Sequence, residues 1–217
     1  MRRTALASFV CLLLSACGGG GGLVGDSPAV APSEALSALD LARQTRATLR
    51  RTTTLPGTAF TAMPESGTAT FNGVGAVGVD LDSSDAVAVI GDATVTADFA
   101  NRSLRGRIDD LRGIREGDAT RPQEVGVDGG IDIGGRSSIG QGAPNDAAAR
   151  YRGRIAIEDG PTLDLRGRLE GKFRGTIAPR AGTPDTIRAL SLEDSRPRIV
   201  DGDGRALTGV VAVAVEN

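Results

Sequence analysis

At 217 residues, 40% of them hydrophobic, the chain is long enough for one domain with its own core and short for two. It contains no His and no Trp, which excludes His-based triads, His-ligated zinc and imidazole bases. Gly, at 31 residues, is about twice its usual share, and aromatics are scarce at 3%, a balance that favours turn-rich β structure over a helical bundle. The formal charge is −2, and Lys172 is the only lysine among 25 basic residues. No run of basic residues appears along the chain, so no nucleic-acid partner is expected.

Residues 1–16 read as a secretory leader. Arg2 and Arg3 form its charged start, and the apolar stretch from Ala5 to Leu14 is too short to span a bilayer. It ends in Leu14-Ser15-Ala16-Cys17, which resembles the bacterial lipobox. That resemblance implies cleavage before Cys17 and fatty acylation (palmitate-type chains) of its thiol and its new amino group, making Cys17 the lipid-attachment residue. One acyl chain holds weakly, whereas two or more anchor stably. Cys11 leaves with the leader, so the mature chain is expected to have no free thiol and no disulfide. Loss of Arg2 and Arg3 moves the net charge from −2 to −4.

Residues 17–32 form the lipidated Cys and a glycine-rich tether: Gly18 to Gly22 are continuous, followed by Leu23-Val24-Gly25-Asp26. Gly18 is not the Asp that, by analogy with well-studied Gram-negative lipoproteins, retains a chain in the inner membrane. An outer-membrane location follows as an expectation, open as to surface or periplasmic face.

Residues 33–54 carry a helix. Ser33 can cap it and Glu34 suits its positive end, while Arg43, Arg46, Arg50 and Arg51 gather toward the C-terminal end. Leu39, Ala42 and Leu49 give it a thin apolar stripe, suited to packing on the domain; a lipid- or partner-facing helix is the alternative.

From Pro64 the period becomes two. Leu163, Leu165, Gly167, Leu169, Gly171, Phe173, Gly175 and Ile177 alternate with Asp164, Arg166, Arg168, Glu170, Lys172, Arg174 and Thr176. Shorter alternations occur at Val95–Phe99, Leu104–Ile108 and Tyr151–Ile157, and Gly209–Val215 supplies a final strand. Turns are expected at Asp82-Ser83-Ser84-Asp85, Ala100-Asn101-Arg102, Glu116-Gly117-Asp118, Glu158-Asp159-Gly160-Pro161 and Asp201-Gly202-Asp203-Gly204. The predicted architecture is all-β: an antiparallel, up-and-down, roughly eight-stranded soluble barrel over residues 64–217, preceded by the short helix. The charged face is expected outside, because the chain lacks the aromatic girdles of a membrane barrel.

Several segments together resemble transferrin-binding protein B-like lipoproteins. They are Pro64-Glu65-Ser66-Gly67-Thr68-Ala69-Thr70-Phe71-Asn72-Gly73, Gly91 to Phe99 followed by Leu104-Arg105-Gly106-Arg107-Ile108, Tyr151-Arg152-Gly153, and Gly167 to Gly175. Arg174 stands where that pattern usually has a second aromatic, and Pro179-Arg180-Ala181-Gly182 replaces its Ala/Gly-rich segment. The resemblance implies a single-barrel relative: a binding lipoprotein contacting membrane lipid through its anchor, with a host protein, nutrient carrier or small solute as partner.

Motifs for other chemistry are incomplete. Asp201-Gly202-Asp203-Gly204 begins like a calcium loop, but the twelfth position is Ala212. Asp128-Gly129-Gly130 and Asp109-Asp110 read as turns or solvated strand ends, and Gly73 to Gly78 lacks the helix of a dinucleotide site. Asp164 and Glu170 fall on the charged face, Ser137-Ser138 has no base, and Tyr151 is expected to cap the core. No catalytic residue, metal ligand or cofactor is therefore expected. Two functions remain, a non-catalytic binding module acting through barrel loops, with Arg112 to Arg121 the nearest candidate loop, and a structural envelope lipoprotein facing the periplasm.

Overall fold

The computed structural model describes residues 38–82, 85–116, 122–175 and 187–217. Cys17, the tether, the Ser33 cap, and Thr176 and Ile177 of the expected long strand lie outside them. A helix, α1 (Ala38–Thr54), and a 3₁₀ turn (Phe60–Ala62) precede nine β segments: β1 (Thr68–Asp80), β2 (Ala86–Asp98), β3 (Ser103–Glu116), β4 (Gln123–Ile139), β5 (Asp146–Ile157), β6 (Thr162–Gly175), β7 (Ile187–Asp194), β8 (Arg198–Asp201) and β9 (Ala206–Glu216).

The segments build a closed, antiparallel, eight-stranded up-and-down barrel, as the alternation predicts. β1 to β6 pair in succession, and β9 closes the ring by pairing with both β7 and β1. β7 and β8 are two pieces of one stave. Both run antiparallel to β6, β7 against Glu170 to Gly175 and β8 against Leu163 to Arg166, with the break at Ser195-Arg196-Pro197. Pro197 lacks the amide that an unbroken ladder would use.

The apolar face points inward. Leu163, Leu165, Leu169 and Phe173 of β6 are buried, whereas Asp164, Arg166, Arg168, Glu170 and Lys172 are exposed. Leu104, Ile108, Ile131, Ile155, Leu190 and Ile199 fill the interior from the other staves. Three rings meet in it: Phe173 lies 5.9 Å from Phe71 and 5.6 Å from Phe99, both tilted. Glycine alternates with Leu and Phe on the inner face of β6, and at Gly171 a Cβ would overlap the Ser191 carbonyl of β7. The neighbouring backbone thus comes as close as it does because no side chain intervenes.

The helix packs on the outside of the wall. Ala42 and Leu41 contact Ile90 and Ile114, Thr45 and Thr52 are buried, and Arg51 grips Glu216 at the end of β9 through two hydrogen bonds of 2.8 and 2.9 Å. The wall beneath is small-residued: the outward Ala189, Ser191 and Ala214 are buried. Arg174 ties the linker down, donating from Nη1 to the Leu55 carbonyl (3.0 Å) and from Nε to Ser191 Oγ (3.2 Å). Gly57 then forms a bridge with Arg174, and Asn145 Nδ2 donates to the Thr58 carbonyl. Arg174 thus fastens the end of the helix to the wall.

Two expectations are corrected. Asp128-Gly129-Gly130 is not a turn but the middle of β4, and Asp109-Asp110 lies within β3. Register slips between them: Ile108 pairs with Ile131 and Arg112 with Gly126, with Asp110 at φ 47° and Gly129 at φ 118°. These are bulges, which bend a strand without ending it.

Candidate functional site

The outer wall of β3, β4, β5, β6 and β8 carries a groove of about 930 Å³. Register builds it. Arg107 stands against Asp132, Asp132 faces Arg152, Arg152 faces Arg166, and Arg166 faces Arg198, one lateral row across five strands. Neighbouring strands lie about 4.8 Å apart, so the last three arginines share a strip roughly 10 Å wide. Arg154, opposite Asp164, lies one row along, and Arg150 opposite Arg168 one row the other way. Gly129, Gly130 and Gly153 also line it; Gly130 lies on the outer face beside Arg107, whereas a Cβ at Gly153 would point inward onto Ile131.

The charges are incompletely matched. Arg107 Nε lies 3.2 Å from Asp109 and its Nη1 3.4 Å from Asp132, while Arg154 reaches Asp164 at 4.0 Å. Among the described residues, Arg152, Arg166 and Arg198 have no acidic partner. Like charges directly opposite one another across strands are destabilising.

Inside the barrel the polar feature is a pair. Tyr151, 4% exposed, donates its hydroxyl to Asp194 Oδ2 at 3.0 Å, and the same carboxylate accepts the amides of Arg168 (3.1 Å) and Arg196 (3.0 Å). Gly167 makes room, since a Cβ there would strike the Asp194 carboxylate. The pair pins the break between β7 and β8 to the core. Tyr151 therefore does more than cap the core: it anchors a stave.

Burial, followed by the nearby Asp194 charge, holds the Tyr151 phenol protonated well above its ordinary range. An unfolded tyrosine releases its proton near pH 10. The folded state therefore binds the proton more tightly, and this contribution is complete below about pH 10 and falls as pH rises further. Urea unfolding at about pH 9 and about pH 11 should show a steep alkaline loss that Tyr151→Phe flattens, at a cost of about 1–2 kcal/mol at neutral pH.

Asp201-Gly202-Asp203-Gly204 is the β8–β9 turn, as expected. The Asp201 carboxylate accepts the Arg205 amide (2.8 Å), the Asp203 amide (3.1 Å) and Arg205 Nε (3.0 Å), which hold it below the usual carboxylate range, the Arg205 amide foremost. No cluster of metal-binding side chains occurs among the described residues. Ser137 Oγ accepts the Leu104 amide (2.9 Å), and Asp164 and Glu170 lie on the outer face as the alternation places them. Of the Arg112 to Arg121 segment, residues 112–116 belong to β3, where Arg115 approaches Asp85 at 3.6 Å; residues 117–121 lie outside the described residues.

The candidate groove sits on the barrel wall. Its signal in the sequence is the i, i+2 spacing of Arg150, Arg152 and Arg154 and of Arg166 and Arg168. The spacing shows a charged face, and only the pairing register shows that the arginines of separate strands meet.

Fold and face together define a closed antiparallel β-barrel with a basic groove on its outer wall. No protein-family model, curated protein or solved structure matches the chain.

Proposed function

We propose that the chain is a lipid-anchored, non-catalytic binding module of the transferrin-binding protein B-like kind, tethered to the outer membrane through Cys17 and displayed at the cell surface toward an extracellular protein or small solute. The observation that supports it best is the groove: a side-chain-filled barrel displays unpaired guanidinium groups on a rigid wall, an arrangement suited to capture and without a nucleophile–base pair. Outside the groove, Cys17 at the end of a lipobox-like leader supplies the anchor, and Gly18 to Gly22 supply the reach.

Protease treatment of intact cells tests this reading, with Cys17→Ala as control. Degradation of the parent from whole cells, with release of the variant from the membrane fraction, is the expected result. Protection until the outer membrane is breached would overturn the surface reading in favour of a structural envelope lipoprotein facing the periplasm.

A further inference from the structure

Five arginines and two aspartates line the groove, a surplus of three positive charges on one wall of a chain whose formal charge is −2. The surplus centres on Arg152, Arg166 and Arg198, which face one another in register on β5, β6 and β8. All three are exposed. Such a row opposes sheet stability unless an anion sits on it.

We infer that the groove binds a clustered phosphoryl group, a diphosphate or a longer oligophosphate, with Arg152, Arg166 and Arg198 as its principal donors. The inference rests on the reading of the chain as a binding module and names its ligand chemistry. A tetrahedral phosphoryl group offers an oxygen to each of three neighbouring guanidinium groups, whereas a planar carboxylate offers two in one plane. One phosphoryl monoester carries about −1.5 to −2 charges at neutral pH, so matching a surplus of three takes two of them. The missing side chain at Gly130 leaves room for the group beside Arg107, since a Cβ there would lie 3.0 Å from Arg107 Nη2. Asp132 and Asp164 flank the row and penalise an anion that is too long or misplaced.

The same chemistry reaches the groove from a soluble diphosphate or from the headgroup of a diphosphorylated lipid. The test uses the full chain carrying Cys17→Ala, so that acylation does not itself hold it to vesicles. Inorganic pyrophosphate is titrated calorimetrically and by thermal shift. It is then offered in competition with phosphatidylcholine vesicles containing diphosphoryl lipid A. Pyrophosphate is expected to bind and to raise the unfolding midpoint, and Arg166→Ala with Arg198→Ala should weaken binding at least tenfold. Without the anion the double variant should melt no lower than its parent, which separates lost binding from lost folding.

Vesicle binding displaced by pyrophosphate would identify a lipid headgroup as the source, and pyrophosphate binding with bare vesicles would identify a soluble one. Absence of any pyrophosphate effect, equal binding by the double variant, or tighter binding of polyglutamate than of pyrophosphate would overturn the inference. None of these results bears on whole-cell proteolysis, so the location reading stands or falls separately.

Discussion

Replacing Phe173 by Ala is expected to lower the unfolding free energy by about 4 kcal/mol, the largest effect of any single substitution considered. Phe173 has no exposed surface and packs against Phe71 and Phe99. With so few aromatics in the chain, these three rings fill space that aliphatic neighbours cannot reach without moving backbone. The ring is also held by its own strand: the Phe173 carbonyl accepts the Thr58 amide and its amide donates to the Asn145 carbonyl. Collapse around the cavity would therefore disturb the linker that carries α1, so relief by relaxation is limited. Urea unfolding with a tyrosine or circular-dichroism signal measures the loss. A change below about 1 kcal/mol would mean that the cluster does not organise the core.

Gly171→Ala should cost about 3 kcal/mol although it adds one methyl group. Its Cβ would overlap the Ser191 carbonyl and approach Leu192 Cα at 2.9 Å, and both are backbone atoms that no rotamer can move aside. β6 and β7 would have to separate where Gly171 pairs with Leu192, loosening the stave that also carries Asp194. The companion change at the exposed Gly202, whose nearest neighbour to such a Cβ is 4.0 Å away, should stay within about 0.5 kcal/mol. Matched unfolding curves for the two variants distinguish the steric cause from a general loss of glycine.

Much of the barrel was legible in the residues. The alternation from Leu163 onward shows both a strand and which of its faces is apolar, and the turns at Asn101, Gly160 and Gly202 fall where Gly, Asn and Asp cluster. β4 was not legible as one strand, because Gly129-Gly130 and Gly134-Gly135 interrupt it like turns. Its apolar residues Val125, Val127, Ile131, Ile133 and Ile139 nevertheless keep the same parity throughout. At Gly134-Gly135, where β4 advances three residues to one of β5, the bulge takes up the irregularity in an even step, and both glycines take positive φ. The groove was hidden for another reason. A lateral row is a property of pairing between strands, and Arg107, Arg152, Arg166 and Arg198 are too far apart in the chain for any window to join them. Tyr151 was visible as an inward ring, but its partner Asp194 gives no sign in the sequence that it reaches inside.

The closure of the ring by β9 sets an order on events before the protein ever works. Asn72 finds its partner in Glu216, and Leu190 finds its own in Val215, so the edges of β1 and β7 stay open until β9 is in place. A chain emerging N-terminus first, from a ribosome or through an export channel, can form local hairpins but cannot become a barrel until it has emerged almost completely. The same arrangement exposes a hazard, since a product cut short before residue 206 would present two unpaired strand edges to its neighbours.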